Sequence, residues 1–179
     1  MKLFKKLAAA ALAAVLALSM VGCGNANSVN STKQFILNFL ADSAVMSTRE
    51  YHNTSEMDGI AQKLLTEANA AYQDETQTDK TVKALMRAVA EKEGVLKEGT
   101  GYEISFVEDY QFKSSLIPEV QKQLMLMQMM DTIDAKGGIA WDATKLDVGV
   151  AVGKIGDKTY AVVVMTSAET AAPGTPDGD

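Results

Sequence analysis

From Leu146 to Met165 the chain alternates and then turns back on itself. Leu146, Val148, Val150 and Val152 are separated by Asp147, Gly149 and Ala151; Ile155-Gly156-Asp157-Lys158 follows; and Tyr160 to Met165 is an almost unbroken apolar run. A period of two belongs to a strand and not to a helix. Two such runs around a Gly-Asp turn predict an antiparallel hairpin. A two-stranded hairpin alone is marginal in water, so this one needs a further strand beside it and a layer above it. Tyr102, Ile104 and Phe106, alternating with Glu103 and Ser105 behind Gly99 and Gly101, predict that strand.

The covering layer is written in a different period. Met57, Ile60, Leu64, Ala68 and Tyr72 form one apolar stripe with Glu, Lys and Gln between, a helix over about 56–73. Phe35, Ile36, Phe39 and Leu40 predict a helix from about Thr32 to Met46, and Ser47-Thr48-Arg49-Glu50 reads as a capping box, with Ser55 a second candidate N-cap. Val82, Leu85, Met86 and Val89, closed by Gly94, predict a third helix over about 80–93. Ser114-Ser115 and Pro118 open a fourth, running through Val120 and Leu124 to about Asp131. Ile139 to Trp141, after Gly137-Gly138, is a short strand or a packed loop. Helices first and strands late predict an α+β fold: about four helices on a small antiparallel sheet that ends in the C-terminal hairpin.

The N-terminus predicts location. Lys2, Lys5 and Lys6 precede an apolar run, Leu7 to Val21, broken only by Ser19 and followed by Gly22-Cys23-Gly24-Asn25. A basic start, a short apolar core and small residues at the cut describe an export signal, and the run is short for a spanning helix of roughly 20 residues. Met20-Val21-Gly22-Cys23 resembles the lipobox of bacterial lipoproteins, with Met20 where that pattern usually has Leu. The resemblance implies acylation of Cys23, the chain's one cysteine, and cleavage before it. Residues 1–22 are then signal, 23–33 the lipidated cysteine and a small polar tether, 34–166 one domain, and 167–179 (two prolines, two glycines, no large apolar residue) a disordered tail.

The three lysines of the signal are its only charges, so the remainder carries 14 basic against 23 acidic residues, net −9. Such a surface repels phosphate backbones and anionic head groups, which argues against nucleic acid and leaves the lipid to hold the membrane.

Reactive groups are few. His52 is the one histidine, and a zinc site would have to complete it with Glu50, Glu56 or Asp58; the stretch reads instead as a surface loop between helices, with no metal and no cofactor. No G-x-S-x-G elbow, phosphate-cradling glycine loop or calcium loop occurs. The acid/base candidates are Glu108-Asp109 after the first strand and Asp131 with Asp134 at the end of the fourth helix, and they become a catalytic pair only at a defined separation in a cleft. Met125, Met127, Met129 and Met130 crowd the end of that helix, either as core filler or as an adaptable binding patch.

The stretch LDVGVAVGKIGDKTYAVVVMTS resembles the last two strands of bacterial CAP-superfamily domains (cysteine-rich secretory, antigen 5 and pathogenesis-related type), at Val148, Gly149, Val150, Tyr160, Val162 and Val164. The resemblance implies an α-β-α sandwich over about residues 34–166. The family's paired His and Glu cavity residues have no counterpart, and Tyr102 to Val107 stands where its Gly-Glu-Asn strand motif would be, so what is implied is a degenerate member without the cavity chemistry. The functional expectation is a lipid-anchored, extracytoplasmic domain that binds a protein, peptide or cell-wall polymer without catalysis. Its alternative is a carboxylate-dependent envelope hydrolase or accessory lytic protein.

Overall fold

The computed structural model describes residues 26–47, 49–96, 101–108, 118, 120–121, 123, 126, 130–134, 139–140 and 142–167. In chain order these form α1 (Ala26–Ser47), β1 (Glu50–Asn53), α2 (Ser55–Gln73), α3 (Val82–Lys92), β2 (Tyr102–Glu108), β3 (Asp131–Asp134), β4 (Lys145–Ile155) and β5 (Lys158–Ser167). The strands make one five-stranded sheet in the order β1-β4-β5-β2-β3.

The hairpin is the centre of that sheet. β4 and β5 pair from Leu146↔Ser167 to Ile155↔Lys158, and β2 lies antiparallel on the far side of β5, from Tyr102↔Thr166 to Glu108↔Tyr160. The turn holds Gly156 at φ +66°, its N–H donating to the Asn69 side chain of α2 at 2.9 Å. A side chain there would collide with the Tyr72 ring, so the turn is both conformationally and sterically a glycine position.

Because the strands alternate, the sheet has two apolar faces, and helices cover both. On one face Ala151, Ile155, Val162, Val164, Ile104 and Phe106 pack against α2 and α3, through Met57, Ala61, Leu64, Leu65 and Ala68 of the first and Leu85, Met86 and Val89 of the second. On the other, Val148, Val150, Val152, Ala161 and Val163 pack against Ile36 of α1 and against Leu126. Leu64 is 1% exposed at the middle of the first layer; at such a site Leu→Ala costs about 2–5 kcal/mol.

Several sequence expectations need correction. The sheet is mixed, not wholly antiparallel: β1 runs parallel to β4, Glu50↔Lys145 through Asn53↔Val148. Its four residues read as an inter-helix loop because Tyr51 alone is partly covered, so no alternation shows. Glu50 accordingly opens a strand and closes no capping box, and the N-cap of α2 is Thr54, whose hydroxyl accepts the Met57 N–H at 3.2 Å. α1 begins at Ala26, so the part of the expected tether from Ala26 to Lys33 is helix. Its polar composition conceals Val29, Thr32 and Ile36, three positions at helical spacing that lie against the sheet, with Thr32 4% exposed. Among the described residues three helices are complete. Of the fourth, Val120, Gln121, Gln123 and Leu126 are helical and much of the rest lies outside the described residues. It does not extend to Asp131, where β3 begins, pairing with β2 from Phe106↔Asp131 to Glu103↔Asp134. Ile139 and Ala140 are not strand, and Trp141, residues 1–25 and residues 168–179 lie outside the described residues. No helix among the described residues is long and apolar enough to cross a membrane.

Candidate functional site

Among the described residues, those singled out in the sequence do not converge. Cys23, Asp109, Met125, Met127 and Met129 lie outside the described residues. Met130 is half-buried and packs on the α1-side core beside Leu126, which is fully buried. Asp131 ion-pairs with Lys83 of α3 at 3.1 Å, and Glu108 with Lys158 at 3.0 Å. His52 is exposed on the edge strand β1, in a strand rather than the expected loop, and faces Asp147 across the β1–β4 pairing. Asp58, a candidate companion for it, is otherwise engaged. One oxygen accepts the Val150 N–H and the Asn53 amide, each at 2.9 Å, and the other meets the Lys33 ammonium at 2.5 Å. Burial pushes the Asp58 carboxyl up, but Lys33, the Val150 N–H and Asn53 together outweigh it, and the group ends below its ordinary value. Among the described residues no group of three or more His, Cys, Asp or Glu is placed to hold a metal ion.

The carboxylates that do stand opposite each other were not nominated as a pair. Glu103 of β2 and Asp134 of β3 are directly paired on the α1 side of the sheet, and two residues on, Ser105 and Thr132 share a hydroxyl–hydroxyl hydrogen bond at 3.3 Å. Burial, and then the charge of Asp134, push the Glu103 carboxyl above its ordinary value, with Arg49 acting against them. The sequence signal was the polar position of a half-buried strand; its partner was hidden because Asp134 read as a helix end.

A concavity lies on the opposite face, among the described residues. A cavity of about 250 Å³ opens between α2, the end of α3 and the start of β2. Ile60 and Leu64 give it an apolar wall, and Lys63 on the same helix reaches Glu93 in an ion pair. Gly94, at φ +74°, turns the chain at the end of α3, and the Val95 N–H returns to the Ala90 carbonyl at 2.9 Å. This is a Schellman-type closure that tucks Val95 under the helix. Tyr102, half-buried, completes the wall. The bond from Lys63, against a smaller burial penalty, holds the Glu93 carboxyl below the ordinary range. In sequence this site left one trace: a C-cap glycine followed at once by Val95 and Leu96, apolar residues with no helix left to carry them.

Tyr102 shares its side of the sheet with polar residues beyond the cavity wall. Strand register aligns Tyr102, Thr166, Asp147 and His52 across β2, β5, β4 and β1, which puts their side chains on one side of the sheet. Glu56 stands one turn before Ile60 in the first turn of α2, where a carboxylate is favoured by the unpaired N–H groups of the helix end. Burial raises the Tyr102 phenol above its ordinary value, and the nearby charges of Glu56 and Asp147 add to that rise. The arrangement is therefore a small concavity walled by Ile60, Leu64, Val95 and Tyr102, with the Lys63–Glu93 ion pair beside them.

No family model, curated protein or solved structure matches this chain.

Proposed function

We propose that the chain is an exported lipoprotein, acylated at Cys23 and held at the extracytoplasmic face of a membrane, whose α+β domain binds a protein, peptide or cell-wall polymer and does no chemistry on it. The observation that carries the binding half is the cavity walled by Ile60, Leu64, Val95 and Tyr102, a concavity with an aromatic lip and without a nucleophile–base pair. The acid/base candidates Glu108 and Asp131 support it from the other side, since each is occupied by a lysine at the surface. The anchoring half rests on Lys2, Lys5, Lys6, the apolar run and Gly22-Cys23. The proposed CAP-like ancestry is compatible with helices on both faces of the sheet and gives no catalytic residue to this chain. Growth with labelled palmitate tests the anchor: wild type should carry label and partition into detergent, and Cys23→Ser should do neither. A wild-type protein that stays unlabelled and wholly aqueous would refute it.

A second reading, a carboxylate-dependent envelope hydrolase, is favoured by one observation, the direct pairing of Glu103 with Asp134 and the raised Glu103 carboxyl. Breakdown of isolated cell-wall polymer by the wild type, abolished by Glu103→Gln in a protein that remains folded, would establish it.

A further inference from the structure

The start of α1 fixes which end of the domain lies nearest its anchor. Lys33 meets Asp58, which in turn takes the Val150 N–H, and Ser47 comes three residues before Glu50, the strand partner of Lys145. α1 therefore runs back along β4, from the level of Val150 to that of Lys145. At 1.5 Å per residue, Ala26 stands about 10 Å beyond Lys33, toward the turn at Ile155–Lys158. The end of α2 is at the same place: Gly156 donates its N–H to Asn69 and lies against the Tyr72 ring. Cys23 precedes Ala26 by three residues, no more than about 11 Å of fully extended chain. A lipid on Cys23 would thus bring head groups to this end of the domain. The far end holds the cavity wall at Tyr102, in register with Thr166 and Asp147. Asp147 lies eight residues before Ile155 on β4, about 26 Å along the strand.

The turn end is polar. Lys154, Asp157 and Lys158 are exposed around the turn, and Asp74 and Lys80 beyond the end of α2. Charged side chains are costly in hydrocarbon and belong in the hydrated head-group layer. Resting on the lipoprotein reading above, we propose that the anchored domain stands end-on. The Ile155–Lys158 turn and the end of α2 rest against a phospholipid head-group layer, and the Tyr102 end of the sheet, with the cavity wall, is turned away from it.

The test uses the full-length lipidated protein in phospholipid nanodiscs, with labelled isoleucine methyl groups and a gadolinium-chelate lipid that broadens signals near the head groups. Ile155 sits at the turn; Ile60 is near the start of α2, and Ile104 is in register with Val164 and Gly149, six residues back along β4. The Ile155 signal should be lost while those of Ile60 and Ile104 remain. A flexible twelve-residue Gly-Ser insertion between Asn25 and Ala26, with an r.m.s. reach of about 20 Å, should abolish the difference and leave palmitate labelling unchanged. Equal broadening of the three methyls in disc-bound wild type, earlier loss of Ile60 or Ile104, or a difference that survives the insertion would each overturn the proposal. Failure of the anchor reading would look different: a wild type without palmitate label that does not elute with the discs.

Discussion

The backbone of Met57 lies so close over Gly149 that a Cβ at Gly149 would sit 2.0 Å from the Met57 carbonyl carbon and oxygen and 2.5 Å from the Asp58 nitrogen. The first turn of α2 therefore rests directly on β4, with no side chain between them. This close approach sets the height of Glu56 and Ile60 above the sheet. Gly149→Ala has to lift the helix, and overpacking of that kind costs about 1–3 kcal/mol or more. Chemical denaturation should show the loss with an unchanged m-value; a stability within error of wild type would mean that the contact is not there in solution.

Asp58 is the second link between the same two elements. β1 ends at Asn53, and the Asp58 carboxylate then takes the Val150 N–H that the strand no longer reaches. Asp58→Ala leaves that half-buried N–H without its acceptor, a cost of about 1–3 kcal/mol. The sign of the pH dependence follows from the carboxyl lying below its ordinary value in the fold. The folded state holds the proton less tightly than the unfolded chain does, so the stabilisation is present above the unfolded value and is lost as pH falls through the folded one. Wild type should thus lose more stability than Asp58→Asn on acidification below about pH 4. Parallel acid limbs for the two proteins would contradict this.

Glu103 has the opposite sign. Its carboxyl is raised by burial and by Asp134, so the folded state binds the proton more tightly than the unfolded chain, and stability falls as pH rises from the unfolded value through the folded one. Glu103→Gln, uncharged throughout, should be more stable than wild type at neutral pH and should flatten this part of the profile. Thermal unfolding followed from acid to neutral pH decides it; a destabilised Gln variant at neutral pH would show that the charge is answered, by Arg49 above all.

What could be read from the sequence followed periodicity. The β4–β5 turn, the β2 neighbour and the stripe from Met57 to Tyr72 were legible because each repeats its apolar residues over several turns or pleats. β1 and β3 were not: Glu50–Asn53 buries no side chain fully, and Asp131–Asp134 buries Ile133 alone. Missing these two edge strands hid the parallel pairing and placed His52 in a loop and Asp134 at a helix end. The cavity was illegible for another reason. Ile60, Glu93, Val95 and Tyr102 are brought together by the turn at Gly94 and by strand order, neither of which leaves a motif.

His52 sits on the exposed edge opposite Asp147, outside the wall of the cavity. Its replacement by alanine should move stability by no more than about 0.5 kcal/mol, as surface substitutions usually do. A larger loss, measured by denaturation, would give this histidine a role that neither the reading of a binder nor the fold assigns to it.

We propose that this domain stands outside the membrane on a lipid carried by Cys23. Treating intact cells, or spheroplasts where an outer membrane intervenes, with a membrane-impermeant amine reagent tests it most directly. Lys80, Lys83 and Lys154 are exposed on the folded domain and would take the label. Wild type should be labelled without lysis and should sediment with the membranes, and Cys23→Ser should not be retained there through a lipid. Protection of the wild-type lysines until the cells are broken would place the domain inside and contradict the account.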